Sequence, residues 1–249
     1  WLGGPEVSYN AREVLENYPM VQGIMKGEGE ESFTELVAYY GKLKERKQLR
    51  DIEGLMFRDE NGEMIETENR PILDLSTVPF VYEHIEDFQN RIIYYESSRG
   101  CAFSCSYCLS SVEKQLRFRD AELVKKELQF FIDREVPQVK FVDRTFNCNH
   151  AHAREIWSYI KEHDNGITNF HFEISADLLR EEELALIGTM RPGLIQLEIG
   201  VQSTNGATIR EIHRTMQLER LKEVVKEVQK HENIHEHLDL IAGLPFEDY

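Results

Sequence analysis

No apolar run in this 249-residue chain approaches the ~20 residues that a bilayer-crossing helix needs, so a helical membrane span within it is excluded. Cysteine is scarce: four residues cannot staple a small secreted scaffold, and the expectation is a reducing, cytoplasmic setting in which thiols stay free. Basic charge is also short, with 29 Lys and Arg against 45 Asp and Glu and a formal net charge of −16. That field repels a phosphate backbone, so nucleic acid is not expected as a partner. What is present is a 41% hydrophobic fraction, enough to bury one full core and part of a second domain.

The few cysteines are not scattered. Three fall within eight residues, in Cys101-Ala-Phe-Ser-Cys105-Ser-Tyr-Cys108, directly after the strand-like run Arg91-Ile-Ile-Tyr-Tyr-Glu-Ser. Three thiolates on one short loop can hold three irons of a cubane 4Fe-4S cluster and leave the fourth iron open to a small molecule. A structural zinc site is the competing reading, with Cys148, His150 or His152 as a fourth ligand. Such sites usually pair two Cys-x2-Cys knuckles, and here there is one.

From about residue 86 the chain alternates β-rich runs with amphipathic helical stretches, the pattern of a parallel sheet wrapped by helices. Strands are predicted at 92–96, 139–143, 170–174, 194–200 and 237–242. Helices are predicted at 121–134, with Asp120 as N-cap, and at 151–161, 181–190 and 219–230. This predicts an α/β fold, a partial (β/α) barrel with five of about six strands, whose reactive groups sit at the C-terminal strand ends. The cysteine loop follows the first strand. Residues 46–85 read as a hairpin around Asn61-Gly62 and a linker bracketed by Pro71 and Pro79. His150 and His152 read as polar starts of a solvated helix, and Cys148 as a small, partly buried residue.

The Cys-x3-Cys-x2-Cys spacing, with Tyr107 just before the last cysteine, resembles the signature of the radical S-adenosylmethionine (radical SAM) superfamily. The resemblance implies a 4Fe-4S cluster on Cys101, Cys105 and Cys108. Its open iron would chelate SAM, and an electron would cleave SAM to methionine and a 5′-deoxyadenosyl radical. The first 45 residues, with Gly3-Gly4 and Gly27-Glu-Gly-Glu30, look like the closing strands and helices of the Rossmann-like cobalamin-binding domain that precedes the catalytic domain in one subclass. Paired glycines after a strand allow a nucleotide-like tail to approach the backbone. By that resemblance Gly3 and Gly4 are candidate cobalamin contacts. The Asp-x-His-x-x-Gly motif that ligates cobalt does not occur in the chain, so the cobalamin site is expected to be incomplete here and the chain to be an internal piece of a longer polypeptide.

The same resemblance nominates partners for SAM. The second strand ends in Asp143-Arg144-Thr145-Phe146, where subclass members often carry Asp-Asp-x-Phe; Asp143 is then a ligand of the SAM amino group, and Arg144 is a departure. Alternation along the third strand puts Glu173, Ser175 and Asp177 on one face, where three polar groups call for a polar ligand. The run through Gln202, Arg214 and Asp239-Leu-Ile-Ala-Gly243-Leu-Pro245 resembles oxygen-independent coproporphyrinogen III oxidase, which implies SAM contacts at Gln202, Arg214 and Asp239 and an adenine-supporting turn at Gly243.

The leading functional expectation is a radical SAM enzyme that methylates, or oxidatively rearranges or cyclises, an unactivated carbon of a small-molecule substrate, with flavodoxin or ferredoxin as electron donor. A methylthiotransferase-like radical SAM enzyme and a non-catalytic iron-sulfur or zinc module are the alternatives. The polar strand ends weigh against the module, because a structural cluster needs no SAM pocket.

Overall fold

The computed structural model describes residues 1–42, 48–112 and 114–247. By its internal contacts the chain forms two units, Trp1–Asp74 and Leu75–Tyr249. The hairpin read as a separate segment over 46–85 therefore belongs to the first unit, and the division falls at Asp74.

In the first unit α1 (Pro5–Ser8) and α2 (Ala11–Asn17) precede β1 (Gly23–Met25), which is followed by α3 (Glu30–Tyr40), β2 (Leu55–Arg58) and β3 (Met64–Glu66). The three strands form an antiparallel sheet in the order β1-β2-β3. Leu2 adds a single parallel bridge to Ile24. The hairpin turn forms where the sequence predicts it: Gly62 takes φ +82°, and Asp59 Oδ1 accepts from the amides of Asn61 and Glu63 at 2.9 and 3.0 Å. Two small clusters, one around Leu15, Ile24 and Met56 and one around Leu36, Ile52, Leu55 and Phe57, supply the apolar burial.

The second unit runs β4 (Ile93–Tyr95), β5 (Ser98–Arg99), β6 (Arg117–Phe118), α4 (Ala121–Asp133), β7 (Gln138–Phe141), α5 (His150–Glu162), β8 (Asn169–Ile174), α6 (Glu181–Gly188), β9 (Ile195–Gln202), α7 (Gly206–Glu211), α8 (Leu218–Gln229) and β10 (His235–Leu240). The five long-range strands pair in parallel in the order β4-β7-β8-β9-β10, the order in which they occur in the chain. Each crossover thus moves one place along the sheet in the same sense, which is how a (β/α) barrel winds and not how a doubly wound sheet does. Asp120 caps α4 as predicted, its carboxylate accepting the Leu123 amide at 3.0 Å.

Alternation divides the two faces of this sheet. Val139, Phe141, Phe170, Phe172, Ile195, Leu197 and Ile199 are buried, in one cluster with Leu128 and Phe131 of α4, Trp157 and Ile160 of α5, Ile187 of α6 and Val224 of α8. The opposite parity carries Lys140, His171, Glu173, Glu198 and Gly200, and the register pairs His237 with Glu198 and Asp239 with Gly200. One face is a hydrophobic core and the other is charged. A half-barrel of this kind presents its chemistry on the inner face and at the C-terminal strand ends.

Candidate SAM and cluster site

The cysteine loop is built on a narrow base. After β4 the chain forms the two-residue strand β5, which pairs antiparallel with β6 (Ser98 with Phe118, Arg99 with Arg117), so the loop leaves and returns side by side. Gly100 has φ +94°, and a Cβ there would stand 2.4 Å from the Gln115 carbonyl oxygen; only glycine fits this crossing. Glu96 and Arg99 form a two-pronged ion pair at 2.9 and 2.7 Å just before it. Within the loop the Cys108 amide donates to Cys105 O at 3.1 Å, and the Ser106 amide donates to Ile212 O at 2.9 Å, tying the loop to the segment after α7.

All four cysteines are free thiols; Cys105 is buried and Cys101 and Cys108 are half-buried. Among the described residues no three His, Cys, Asp or Glu side chains converge on a single-ion position. Thiolates of a cubane each bind a different iron and need no such convergence, so three free thiols on one anchored loop fit the cluster's donor chemistry.

Beside this loop, at the ends of β8 and β9, lies a polar cavity of about 140 Å³. Arg144, Glu173, Ser175, Gln202, Arg214 and Asp239, six of the residues nominated from sequence, line it together with Phe103 of the cysteine loop. Gln202 ends β9 in the left-handed region at φ +69°, a conformation that costs a non-glycine residue on the order of 1–3 kcal/mol. Its amide folds back over Gly200, where a Cβ would meet Nε2 at 2.4 Å. Arg214 donates through Nη2 to the Gly200 carbonyl, and its Nη1 lies 3.4 Å from the Tyr107 hydroxyl and 4.0 Å from Cys105 Sγ. Its Nε is buried with no hydrogen-bond partner among the described residues. The turn around Gly243 (φ +82°) is pinned to α7 and its N-cap, with Thr208 Oγ1 donating to Pro245 O at 2.7 Å and Asn205 Nδ2 to Phe246 O at 2.9 Å.

Asp143 and Asp177 lie elsewhere. Asp143 is fully buried off the cavity, and its carboxylate accepts from the Ser97 amide and from the hydroxyls of Ser97 and Ser98. The neighbouring Arg144, the departure from the family pattern, is the one on the cavity wall. Asp177 also turns away, because β8 ends at Ile174 and alternation no longer applies beyond it; its carboxylate accepts from Ser175 Oγ at 2.8 Å and from the Gln217 amide at 2.9 Å. The two histidines are not a solvated helix start: His150 pairs with the buried Glu183 at 2.8 Å, and His152 is 8% exposed, against Ser97.

In the first unit Gly4 has φ +96° and precedes α1, while a Cβ on Gly3 would press against Met25 Cε at 3.1 Å. The parallel bridge at Leu2, the glycine turn and a helix follow one another there.

Sequence reasoning missed Glu198 and Lys140, which line or underlie the cavity. Glu198 accepts from Lys140 at 2.9 Å and faces His171 at 3.0 Å, while Lys140 is 3.7 Å from Glu173. Burial works against the charge on Glu198, but Lys140 and His171 outweigh it and hold the carboxyl below its ordinary value. Glu173 is raised, by burial first and then by the charge on Glu198. The signal was available in the β9 alternation Gln196-Leu-Glu198-Ile-Gly200, whose even positions share a face with Gln202.

The family model of the Radical SAM superfamily matches residues 95–249. Curated relatives include an uncharacterized methyltransferase of Pyrococcus horikoshii, 28% identical over 173 residues (65% of this chain and 36% of the relative). Another is the anaerobic magnesium-protoporphyrin IX monomethyl ester cyclase of Synechocystis, 23% identical over 238 residues (92% and 47%). Among solved structures, the radical S-adenosylmethionine methyltransferase TsrM from Kitasatospora setae, with cobalamin and a 4Fe-4S cluster bound, superposes with a TM-score of 0.75 at 18% identity, covering 99% of this chain and 52% of that one. The chain thus spans between about a third and a half of the length of these proteins. From Tyr95 onward, motif, barrel order and strand-end cavity agree with the matched model: the chain belongs to the Radical SAM superfamily.

Proposed function

We propose that this protein binds SAM at a 4Fe-4S cluster and uses it to modify an unactivated carbon of a small molecule, by methylation or by oxidative ring closure. The observation that carries the reading is the meeting of the cysteine loop with the strand ends: Arg214 reaches Cys105 and Tyr107 while bound to the Gly200 carbonyl, beside a polar cavity. When bound at Cys101, Cys105 and Cys108, the cluster supplies the electron for reductive cleavage of SAM. The residues around it bind and orient. Arg214 offers a fixed fork of donors suited to a carboxylate. Glu173 and Asp239 offer acceptors for an ammonium and for ribose hydroxyls, Gln202 an amide, and Arg144 a second cation on the same wall. A flavodoxin or ferredoxin is the electron donor in this reading.

For the first unit we propose part of a cobalamin-binding domain, with Gly3 and Gly4 beside the cofactor's tail. The parallel bridge ending in a positive-φ glycine ahead of a helix supports it. Methylation and ring closure are the reactions named for the methyltransferase and cyclase relatives. The test is direct: anaerobically reconstituted protein, reduced with dithionite and given SAM, releases 5′-deoxyadenosine. A reconstituted cluster whose electron paramagnetic resonance spectrum does not respond to SAM overturns the proposal.

A further inference from the structure

The loop that carries the three cysteines springs from Ser97 and Ser98, and both are buried, at 0% and 3% exposure. What holds them is Asp143, on the chain leaving the neighbouring strand β7 and itself 0% exposed. Oδ1 accepts the Ser97 amide at 2.8 Å; Oδ2 accepts the Ser97 hydroxyl at 2.6 Å and the Ser98 hydroxyl at 2.5 Å. Ser97 has given its one proton to the carboxylate, so it can only accept from His152 Nε2, 2.9 Å away, which fixes that nitrogen as the protonated one. The His152 ring packs 4.8 Å from the ring of Phe118, on the returning strand of the same loop, and 5.9 Å from Phe146. The Ser97 carbonyl accepts the Arg119 amide, on the returning side, at 2.9 Å. One buried carboxylate and the histidine behind it therefore grip both arms of the loop where they enter and leave the sheet.

A buried carboxylate with no cation among its hydrogen-bond partners is an expensive way to fill space, since its charge must be met wholly by donors. Among the described residues every donor to Asp143 belongs to the loop base. We propose that Asp143 is a positioning residue for the cluster-binding loop. By fixing Ser97 and Ser98 it sets where Gly100 turns and where Cys101 starts, and so holds the loop ready to receive a cluster before one is bound. This rests on the cluster reading above and changes the part given to Asp143: it orients the cysteine loop and does not touch SAM. The geometry resembles the outer partners of metal ligands, whose loss typically weakens metal retention by about ten- to a hundredfold.

The experiment compares wild type, Asp143→Ala, Asp143→Asn and Ser98→Ala on the full chain. Amide hydrogen exchange is read on the iron-free proteins, and iron loss to a chelator and the resonance spectrum of the reduced cluster are read after anaerobic reconstitution. In Asp143→Ala, amides 97–100 and 117–119 are expected to exchange at least about tenfold faster, with β9 and β10 unchanged, and iron is expected to leave about tenfold faster with shifted g values. Asp143→Asn, which keeps an acceptor for the Ser97 amide, is expected to recover most of the retention. Wild-type exchange, retention and spectrum in Asp143→Ala overturn the proposal, as does a loss that Asn does not reduce. If Asp143→Ala fails to fold, Ser98→Ala decides: faster exchange and iron loss support the proposal, and wild-type behaviour overturns it. A wild-type protein that takes up no iron defeats the proposed function instead, and the exchange data on the iron-free proteins then decide the role of Asp143.

Discussion

Nη1 of Arg214 lies 4.0 Å from Sγ of Cys105, joining residues 109 positions apart in the chain. The contact brings a cation from the segment after α7 to a thiol on the loop after β4. It is possible because β9 ends beside the loop and because the Ser106 amide is already docked on Ile212 O. A guanidinium in this place can receive a carboxylate or donate to a thiolate; both favour an anionic ligand set.

Arg214→Ala removes the fork from the cavity and leaves the Gly200 carbonyl without that donor. A hydrogen bond to a charged group is worth about 1.5–3 kcal/mol, so SAM affinity is expected to fall roughly ten- to a hundredfold. Calorimetric titration of the reconstituted protein measures it, and Arg214→Lys is expected to recover only part because a single ammonium cannot reproduce the fork.

Replacing Cys101, Cys105 or Cys108 by Ala is expected to abolish assembly of an intact cluster, whereas Cys148→Ser leaves iron content unchanged. Cys148 lies outside the loop, and burial pushes its thiol up to about 11. Iron and sulfide analysis after anaerobic reconstitution checks both.

Gln202→Gly separates stability from binding. Releasing the left-handed strain at φ +69° raises stability by up to about 1 kcal/mol, read from urea unfolding. The same change deletes the amide from the cavity and weakens SAM binding. A variant that gains stability and keeps full affinity shows that the Gln202 side chain makes no SAM contact.

Two buried groups at the loop base titrate in opposite senses. Burial raises Asp143 from its ordinary 3.8 to about 6, so it contributes stability below pH 3.8 that is lost as pH rises through 6. Burial lowers His152 from 6.5 to about 4, so its contribution is present above pH 6.5 and is lost as pH falls through 4. Each is worth about 3 kcal/mol and they nearly cancel. In His152→Phe only the Asp143 contribution remains. Relative to wild type, that variant is expected to gain about 3 kcal/mol of unfolding free energy between pH 7 and pH 4, measured by denaturant titration at each pH.

Much of the second unit was legible because its signals are local. The five predicted strands and four predicted helices form within a few residues of their expected ends, since hydrophobic period and caps act over a turn or a strand. The short helix α7 and the two-residue ladder of β5 with β6 were not predicted. The ladder pairs Ser98 with Phe118 across the whole cysteine loop, and no local pattern encodes that pairing. Glu198 and Lys140 carried the right parity but acquire meaning only when three adjacent strands set Lys140, His171, Glu173 and Glu198 side by side.

By itself the sequence determined the cysteine spacing, the alternation of strands and helices, and hence a barrel with reactive groups at its strand ends. These follow from residue chemistry and short-range periodicity. Only the tertiary structure decided which strand-end side chains face the cavity. Asp143 and Arg144 are neighbours at the end of one strand, yet Arg144 lines the cavity and Asp143 is buried beneath the cysteine loop. Asp143 keeps the parity of the buried Val139 and Phe141 and Arg144 that of Lys140, and the carboxylate on the core side turns toward the nearest donors. Here those belong to Ser97 and Ser98, 46 and 45 residues earlier in the chain.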